Sequence, residues 1–280
     1  AQYKAVLKDQ EKTKFQVYRD VDTKLDDVKG NKTLCDKLKK IIDMLINQET
    51  YNDYGIQVPK GALLVGLPGT GKTFIARAVA GEFQNKLSEY KKDKQIAFIP
   101  VIATELYTPG MIEILFEEAS QYDASIIFID EIDAIGGNRF KNKQSQPLLI
   151  QLMKELDGFD TRKNIFVMAA TNAPESLDEA LKRPGRFDQI IEVSCPDSTG
   201  RKDIIKEYIS KLKYFKNTDT REIVEAISSN TKGFTPANLK NLINLAAIDF
   251  MSNIPSDTSK YMEKFKKIVE EKIDTLRIGE

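Results

Sequence analysis

Short apolar runs alternate with helical stretches between residues 62 and 195 of the chain. These runs are rich in β-branched residues and are apolar on both faces: "ALLVG" (62–66), "IAFIPVI" (96–102), "SIIFID" (125–130), "NIFVMAAT" (164–171) and "QIIEV" (189–193). Runs of this kind separated by helices are typical of parallel strands covered on both sides. The pattern therefore predicts a three-layer α/β domain built on a parallel sheet.

Helical periodicity dominates on both sides of these strands. Apolar residues recur at helical spacing from Leu34 to Leu45, which predicts an amphipathic helix that ends near Asn47. After Pro196 the strand signals stop, and helical patterns follow at 199–212, 219–230, 236–252 and 258–274. We therefore predict three segments, namely a polar linker (1–24), a large α/β subdomain (25–195) and a small all-helical subdomain (196–280).

Composition narrows the functions that this chain can perform. Forty-two basic and forty-two acidic residues cancel, so no overall field attracts nucleic acid or an anionic membrane. Cys35 and Cys195 are the only cysteines, which implies neither a disulfide framework nor a zinc cluster and favours a reducing, intracellular compartment. The chain has no histidine, which excludes an imidazole base and an HExxH zinc site. No run reaches the roughly 18 apolar residues of a membrane helix, and the N-terminus lacks a signal-peptide core.

The motif "GLPGTGKT" (66–73) follows the first apolar run and precedes a helical stretch. Glycines let the backbone N–H groups point at phosphate oxygens, and the helix N-terminus adds partial positive charge. Lys72 then reaches the β- and γ-phosphates and Thr73 ligates Mg²⁺. The alternative is an ordinary glycine-rich turn. The motif assigns nucleotide binding to Pro68, Gly69, Thr70, Gly71, Lys72, Thr73 and Phe74.

Polar side chains follow two further predicted strands. "IIFIDEID" (126–133) ends in Asp130, which can hold the magnesium shell, and Glu131, which can orient and deprotonate an attacking water. The alternative is that both acids cap the following helix. Asn172 ends the next strand, and its amide could hold the same water against the γ-phosphate, although an asparagine there is often a turn residue.

These motifs, in the order "GLPGTGKT", "IIFIDEID", "ATN" and "RPGRFD", resemble those of an AAA ATPase. "VPKGALLVG", "LMKELDGF" (152–159) and "GFTPANLKNLINLAA" (233–247) are similar to the ATPase module of the FtsH-like membrane-protease branch, and the similarity covers about residues 21–250. The resemblance implies a P-loop NTPase sheet, the AAA large subdomain, followed by a small helical subdomain. It also implies ATP and Mg²⁺ as cofactors.

The same resemblance implies partners and a location. We expect a homo- or hetero-oligomeric ring, a hexamer, that acts on protein substrates and binds no nucleic acid. A protease site would lie outside this chain or in a partner, and membrane contact would come only through segments that this chain lacks. The expected location is the cytoplasm or the matrix or stroma side of an organelle.

The segment "RPGRFDQ" (183–189) carries two arginines around a turn. In AAA ATPases such arginines contact the γ-phosphate bound by the neighbouring subunit, and the resemblance assigns this role to Arg183 and Arg186. Pro184 restricts the backbone and Gly185 permits a turn, so we expect both guanidinium groups to face outward. The alternative is a pair of surface arginines in exposed ion pairs.

The resemblance carries over to four further nucleotide contacts. Val28 and Gly30 match the segment whose backbone contacts adenine, and Gly233 and Ala237 match the contact from the small subdomain. Ala237 stands where other AAA+ branches place a sensing arginine. "DGF" (157–159) resembles an intersubunit signalling element, and it can equally be a helix end followed by a turn.

Two stretches depart from the family pattern. The segment 103–119 is short and lacks the aromatic-hydrophobic-glycine tripeptide that grips polypeptide in threading motors. Tyr107 is its aromatic candidate for a pore residue, and ordinary packing is the alternative. The segment 84–95 is an apparent insertion whose charges predict a solvated extension. An ATP-gated scaffold that does not thread polypeptide therefore remains an alternative to an unfolding motor, and neutral charge disfavours a nucleic-acid motor.

Overall fold

The computed structural model describes residues 15–90, 94–137, 146–158, 165–216 and 218–278. The chain folds into two compact units. The sheet unit contains residues 15–25 with Leu38–Val65 and Ile75–Glu192. The helical unit contains Asp26–Lys37, Gly66–Phe74 and the residues from Val193 onward. The subdomain boundaries drawn from the sequence stay a prediction.

Within the described ranges, five parallel strands form the sheet, in the spatial order β2-β3-β4-β1-β5. The strands are β1 (Gly61–Val65), β2 (Ile96–Ile102), β3 (Ala124–Asp130), β4 (Ile165–Thr171) and β5 (Gln189–Glu192). Nearly every residue of the three central strands is buried, since helices cover both faces of a parallel sheet. The predicted α/β fold class is confirmed.

The carboxyl ends of the strands lie at the same edge of the sheet, because all of the strands run in the same direction. Ile102 pairs with Asp130, and Val65 pairs with Thr171. Ligands of open α/β folds bind outside this edge. The polar residues that follow β3 and β4 therefore start from neighbouring positions.

The helices of the chain are α1 (Lys32–Ile46), α2 (Gln48–Asp53), α3 (Lys72–Tyr90), α4 (Met111–Ala119), α5 (Asp133–Gly136), α6 (Gln146–Asp157), α7 (Ser198–Ser210), α8 (Arg221–Asn230), α9 (Pro236–Ser252) and α10 (Tyr261–Ile278). In the sheet unit, Ile112 and Leu115 of α4 and Leu152 of α6 are fully buried in one core with Ile127 and Val167 of the sheet. This core therefore packs α4 and α6 against one face of the sheet.

Residues 15–24, part of the predicted linker, contact the sheet. Tyr18 and Phe98 exchange two backbone N–H to carbonyl hydrogen bonds of 2.8 Å, so this segment pairs with the outer side of β2. Phe15 is buried in the core, and the guanidinium of Arg77 lies 5.3 Å from the centre of the Tyr18 ring. Residues 1–14 of the predicted linker lie outside the described residues.

The predicted solvated extension is partly helix. The first seven residues of segment 84–95 continue α3 to Tyr90, and Gln84 and Leu87 are buried. The Gln84 amide donates to the Tyr18 carbonyl at 3.1 Å. The prediction is therefore wrong for these two residues, because both occupy buried positions of α3. Residues 91–93 lie outside the described part.

The helical unit packs α7, α8, α9 and α10 around its own apolar core. Phe215, Phe250 and Phe265 form an aromatic cluster there, with 4.8 Å between the ring centres of Phe215 and Phe265. The buried guanidinium of Arg201 donates to the Ser228 carbonyl at 3.0 and 3.2 Å, which joins α7 to the end of α8. No helix within the described ranges is long and apolar enough to cross a membrane.

Candidate active site

The loop Gly66–Phe74 of the helical unit has the backbone that a phosphate cradle requires. Gly69 and Gly71 have φ angles of 77° and 93°, in the left-handed region that side chains rarely adopt. The Thr70 hydroxyl donates to the Leu67 carbonyl at 2.9 Å and closes the turn. A Cβ added at Gly71 would meet nothing within 4 Å, so this glycine is required by its backbone conformation and not by crowding.

Lys72 is the first residue of α3 and its side chain is buried. Its ammonium donates to the carbonyls of Gly66 and Leu67, both at 2.8 Å. Burial of a charge is costly unless it is paired, and an anion held by the loop would pair with this ammonium. Thr73 follows within the first turn of a 19-residue helix, where N–H groups favour anions. These residues fit the phosphates of ATP and a bound Mg²⁺.

The N-terminus of α9 lies against this loop within the helical unit. The Ala237 N–H donates to the Gly69 carbonyl at 3.2 Å. A Cβ added at Gly69 would lie 2.8 Å from the Ala237 Cβ and 3.1 Å from the Thr235 hydroxyl. Gly233, with φ of 88°, lies in the turn before α9. A small side chain at position 237 thus permits the close approach of α9 to the phosphate loop.

In the sheet unit, Asp130 ends β3 and Glu131 begins the turn into α5. Glu131 has a φ of 53° and is the only non-glycine residue with a positive φ in the described ranges. Its N–H donates to the Asp130 Oδ1 at 3.0 Å, and its side chain is exposed. A left-handed conformation costs about 1–2 kcal/mol for such a residue. The exposed carboxylate of Glu131 is therefore presented from strained backbone.

A buried hydroxyl links this turn to the end of β4. The Thr171 Oγ1 donates to the Asp133 Oδ1 at 2.7 Å and accepts the Ala173 N–H at 3.0 Å. The Ile132 N–H donates to the Ala170 carbonyl at 3.0 Å. These bonds bring the turn that carries Glu131 beside the turn that carries Asn172, whose side chain is exposed.

The two predicted arginines have different surroundings. Arg183 is exposed, as expected. Arg186 forms a bidentate ion pair with Asp157, with 2.8 Å between Nε and Oδ1 and 2.6 Å between Nη2 and Oδ2. Its Nη1 donates to the Ala180 carbonyl at 2.8 Å, and only 17% of its side chain is exposed. The prediction that both guanidinium groups face outward is therefore wrong for Arg186.

Asp157 is also the first residue of the predicted signalling element "DGF". It is the last residue of α6, and the Gly158 N–H donates to the Lys154 carbonyl at 2.8 Å. The hydrogen bond from Arg186 holds the pKa of Asp157 below its ordinary value. Phe159 lies outside the described residues, and the signalling role stays a prediction.

Comparison with known proteins identifies the family. The model of the "ATPase family associated with various cellular activities (AAA)" matches residues 62–195. The ATP-dependent zinc metalloprotease FtsH of a Sulfurovum species is 42% identical over 234 residues, which are 81% of this chain and 33% of that protein. The FtsH of Leptotrichia buccalis is 40% identical over 269 residues, 92% of this chain and 32% of that protein. The chain carries an AAA ATPase module of the FtsH-like family.

A eukaryotic relative gives the same result. The ATP-dependent zinc metalloprotease YME1L1 of Rattus norvegicus is 40% identical over 229 residues, which are 79% of this chain and 30% of that protein. The AAA module described here thus spans about a third of the length of the curated relatives it matches. The names of those longer proteins refer to zinc and to proteolysis.

The segment assigned to adenine contact by this family packs on the start of α7. Gly30 has a φ of 93°, and a Cβ added at Gly200 would lie 2.3 Å from the Gly30 Cα. The Cys35 thiol donates to the Val28 carbonyl at 3.8 Å. Sequence reasoning missed Gly200 and Cys35, although a glycine in the first turn of a helix is a signal of close backbone approach.

After β2, a short 3₁₀ helix (Ala103–Leu106) precedes Tyr107, the candidate pore residue. Half of the Tyr107 side chain is exposed, and its hydroxyl donates to the Ala134 carbonyl of α5 at 3.3 Å. The ring is thus available to solvent while its hydroxyl is attached to the helix after Glu131. This geometry is compatible with both interpretations of Tyr107, pore residue and packing residue.

Asp188 follows the arginine turn (residues 183–186) in the sequence. It lines a cavity of about 430 Å³ together with Lys60, Pro184 and Gly185. Its buried Oδ1 has no hydrogen-bond partner among the described residues. Burial raises the pKa of Asp188, and hydrogen bonds from backbone N–H groups, including that of Gly185, oppose this shift. The carboxyl group therefore anchors the arginine turn at the cost of partial desolvation.

Proposed function

We propose that this AAA module hydrolyses ATP with Mg²⁺ in a ring and couples the reaction to unfolding or remodelling of protein. The phosphate loop carries the proposal, because left-handed Gly69 and Gly71 and the buried ammonium of Lys72 form a cradle that suits the β- and γ-phosphates. An ordinary glycine-rich turn gives no reason to bury a lysine.

Each candidate residue then has a role in the reaction. Lys72 and the loop N–H groups bind and orient the phosphates, and Thr73 and Asp130 hold the metal. Bound Mg²⁺ supplies charge neutralisation at the phosphates. Glu131 accepts the proton of the attacking water, and Asn172 orients this water by a hydrogen bond. Val28, Gly30, Gly233 and Ala237 complete the nucleotide contacts.

Arg183 and Arg186 act on the nucleotide of the neighbouring subunit. An arginine finger contributes about 10³ to 10⁵ in rate, so a site without its neighbour is nearly inactive. Arg186 must first leave Asp157, since the ion pair occupies its guanidinium. We expect a hexameric ring of identical or related subunits.

Relatives named as ATP-dependent metalloproteases support a role as the motor of an FtsH-like protease acting on protein substrates. We place the protease site outside this chain or on a partner, and membrane attachment in segments that the chain does not include. The proposed location is the cytoplasm or the matrix or stroma side of an organelle.

The test is the ATPase rate per subunit, measured against protein concentration with light scattering to follow assembly. We expect the rate to rise steeply as rings form. Lys72→Ala is the matched control, because loss of the ammonium should abolish ATP binding at every concentration. A rate per subunit that stays constant down to the monomer would exclude a site shared between subunits.

A second candidate function is an ATP-gated scaffold that does not thread polypeptide. The short 3₁₀ helix after β2 and the attachment of the Tyr107 hydroxyl to Ala134 favour it, because both restrict the loop that would have to grip a substrate. In this case ATP binding would organise partners in the ring, and hydrolysis would release them.

A further inference from the structure

Two polar residues that the roles above leave unused lie between Glu131 and Asn172. Thr171 is the last residue of β4 and is 1% exposed, and Asp133 is the first residue of α5. The Thr171 hydroxyl donates to the Asp133 Oδ1 at 2.7 Å. It therefore ties the end of one strand to the turn that follows the neighbouring strand.

The Thr171 hydroxyl acts as both a donor and an acceptor at this position. It gives its proton to Asp133 and accepts the Ala173 N–H at 3.0 Å, which closes a turn around Asn172. A valine of the same shape would leave both the N–H of Ala173 and the Asp133 oxygen without this partner. A serine would keep both bonds.

The strained backbone of Glu131 needs support of this kind. Such a conformation persists only when the surrounding structure holds it on both sides. On one side the Glu131 N–H bonds to Asp130, and on the other Ile132 bonds to the Ala170 carbonyl at 3.0 Å. The hydrogen bond between Thr171 and Asp133 adds a second attachment to β4, two residues after the strained Glu131.

We propose that Thr171 and Asp133 are positioning residues that hold the Glu131 carboxylate and the Asn172 amide at a fixed separation. The two groups can then address one water molecule, the carboxylate as base and the amide as orienting donor. This inference rests on the proposed function of ATP hydrolysis. A displacement of a reacting group by about 1 Å can cost a hundredfold in rate, so a lost hydroxyl here should act mainly on the chemical step.

The first test separates kcat from KM in a mutant series. We expect Thr171→Val to lower kcat by about ten- to a hundredfold with the KM for ATP changed by less than about twofold, since the phosphate loop is untouched. Thr171→Ser should restore most of kcat. Asp133→Ala should repeat the loss of kcat, and because its side chain is only half-buried this variant is expected to fold if the valine variant does not.

Ser125→Ala is the matched control. The Ser125 hydroxyl is equally buried in the neighbouring strand β3, and it donates to the Ala119 carbonyl at 2.6 Å. It lies near the opposite end of that strand from Asp130. We expect this variant to lose stability as Thr171→Val does, and to keep the kcat of the unmodified chain.

A second readout does not depend on activity. Amide hydrogen exchange of Ile132 should accelerate by at least about tenfold in Thr171→Val and Asp133→Ala, and remain slow in Thr171→Ser and Ser125→Ala. Unchanged Ile132 exchange in both disruptive variants would overturn the positioning role, as would a kcat within twofold of the unmodified chain. If the unmodified chain hydrolyses no ATP, the proposed function fails, and the exchange data still decide whether Thr171 holds the two turns together.

Discussion

Neutralising Asp157 should make Arg186, for which we propose an intersubunit role, easier to recruit. The Asp157 and Arg186 side chains are joined in bidentate geometry, yet 54% of the Asp157 side chain is exposed. Surface ion pairs contribute up to about 1 kcal/mol, and this pair belongs at the upper end because both oxygens are used and Arg186 is largely buried. An energy of about 1 kcal/mol corresponds to a roughly fivefold change in the released population of Arg186.

The assay uses two defective chains that complement each other. The acceptor carries Arg183→Ala and Arg186→Ala and keeps its own phosphate loop and Glu131. The donor carries Glu131→Gln and keeps its arginines. Hydrolysis then occurs only where a donor arginine completes an acceptor site. With Asp157→Asn added to the donor, the donor concentration for half-maximal rate should fall by up to about fivefold.

The control addition to the donor is Glu207→Gln, which removes an exposed ion pair between Glu207 of α7 and Lys211 just after this helix. It should leave the donor requirement unchanged. No hydrolysis in any mixture would refute the action of the arginines between subunits. Hydrolysis with the same donor requirement for Asp157→Asn would refute the idea that Asp157 restrains Arg186. Since the pKa of Asp157 is lowered, its contribution is fully present above the ordinary carboxyl pKa and lost as pH falls through the lowered value.

Two other outcomes follow from single side chains. If the ring grips polypeptide, Tyr107→Ala should reduce unfolding of a tagged substrate several-fold at unchanged ATPase rate. Tyr107→Phe loses only the hydrogen bond to Ala134 and should retain unfolding activity. Full unfolding activity of Tyr107→Ala would favour the scaffold. The pKa of Asp188 is raised in the folded chain, which therefore binds the proton of this carboxyl group more tightly than the unfolded chain does. As a result, the contribution of Asp188 to the free energy of unfolding falls as the pH rises from about 4 through the raised pKa. Asp188→Asn should remove this fall, so its melting temperature relative to the unmodified chain should rise over that interval, and parallel pH profiles of both chains would contradict the assignment.

Local patterns in the sequence predict most of the fold. Each predicted strand lies within one residue of an observed one, as with "SIIFID" (125–130) and Ala124–Asp130, because a strand buried on both faces has a distinctive apolar run. The phosphate loop is equally local, since its glycines, its lysine and the flanking strand and helix are consecutive in the chain.

The parts that sequence reasoning missed depend on distant residues. Arg186 meets Asp157 across 29 positions, and nothing near "RPGRFDQ" indicates this partner. Thr171 and Asp133 are separated by 38 positions, and each is an ordinary polar residue at the end of an element. Their pairing appears only once the parallel register of β3 and β4 places both turns at one edge of the sheet.

The backbone exchange between Tyr18 and Phe98 has a consequence for how this chain can be shortened. An uncovered outer strand offers its amides and carbonyls to any passing chain, and proteins usually protect such margins. Removal of the first twenty residues would strip that protection from β2 while leaving the nucleotide motifs intact. Such a truncated protein would keep every nucleotide motif and gain an exposed edge strand that is prone to aggregate. Precipitation of this form would therefore say little about catalysis.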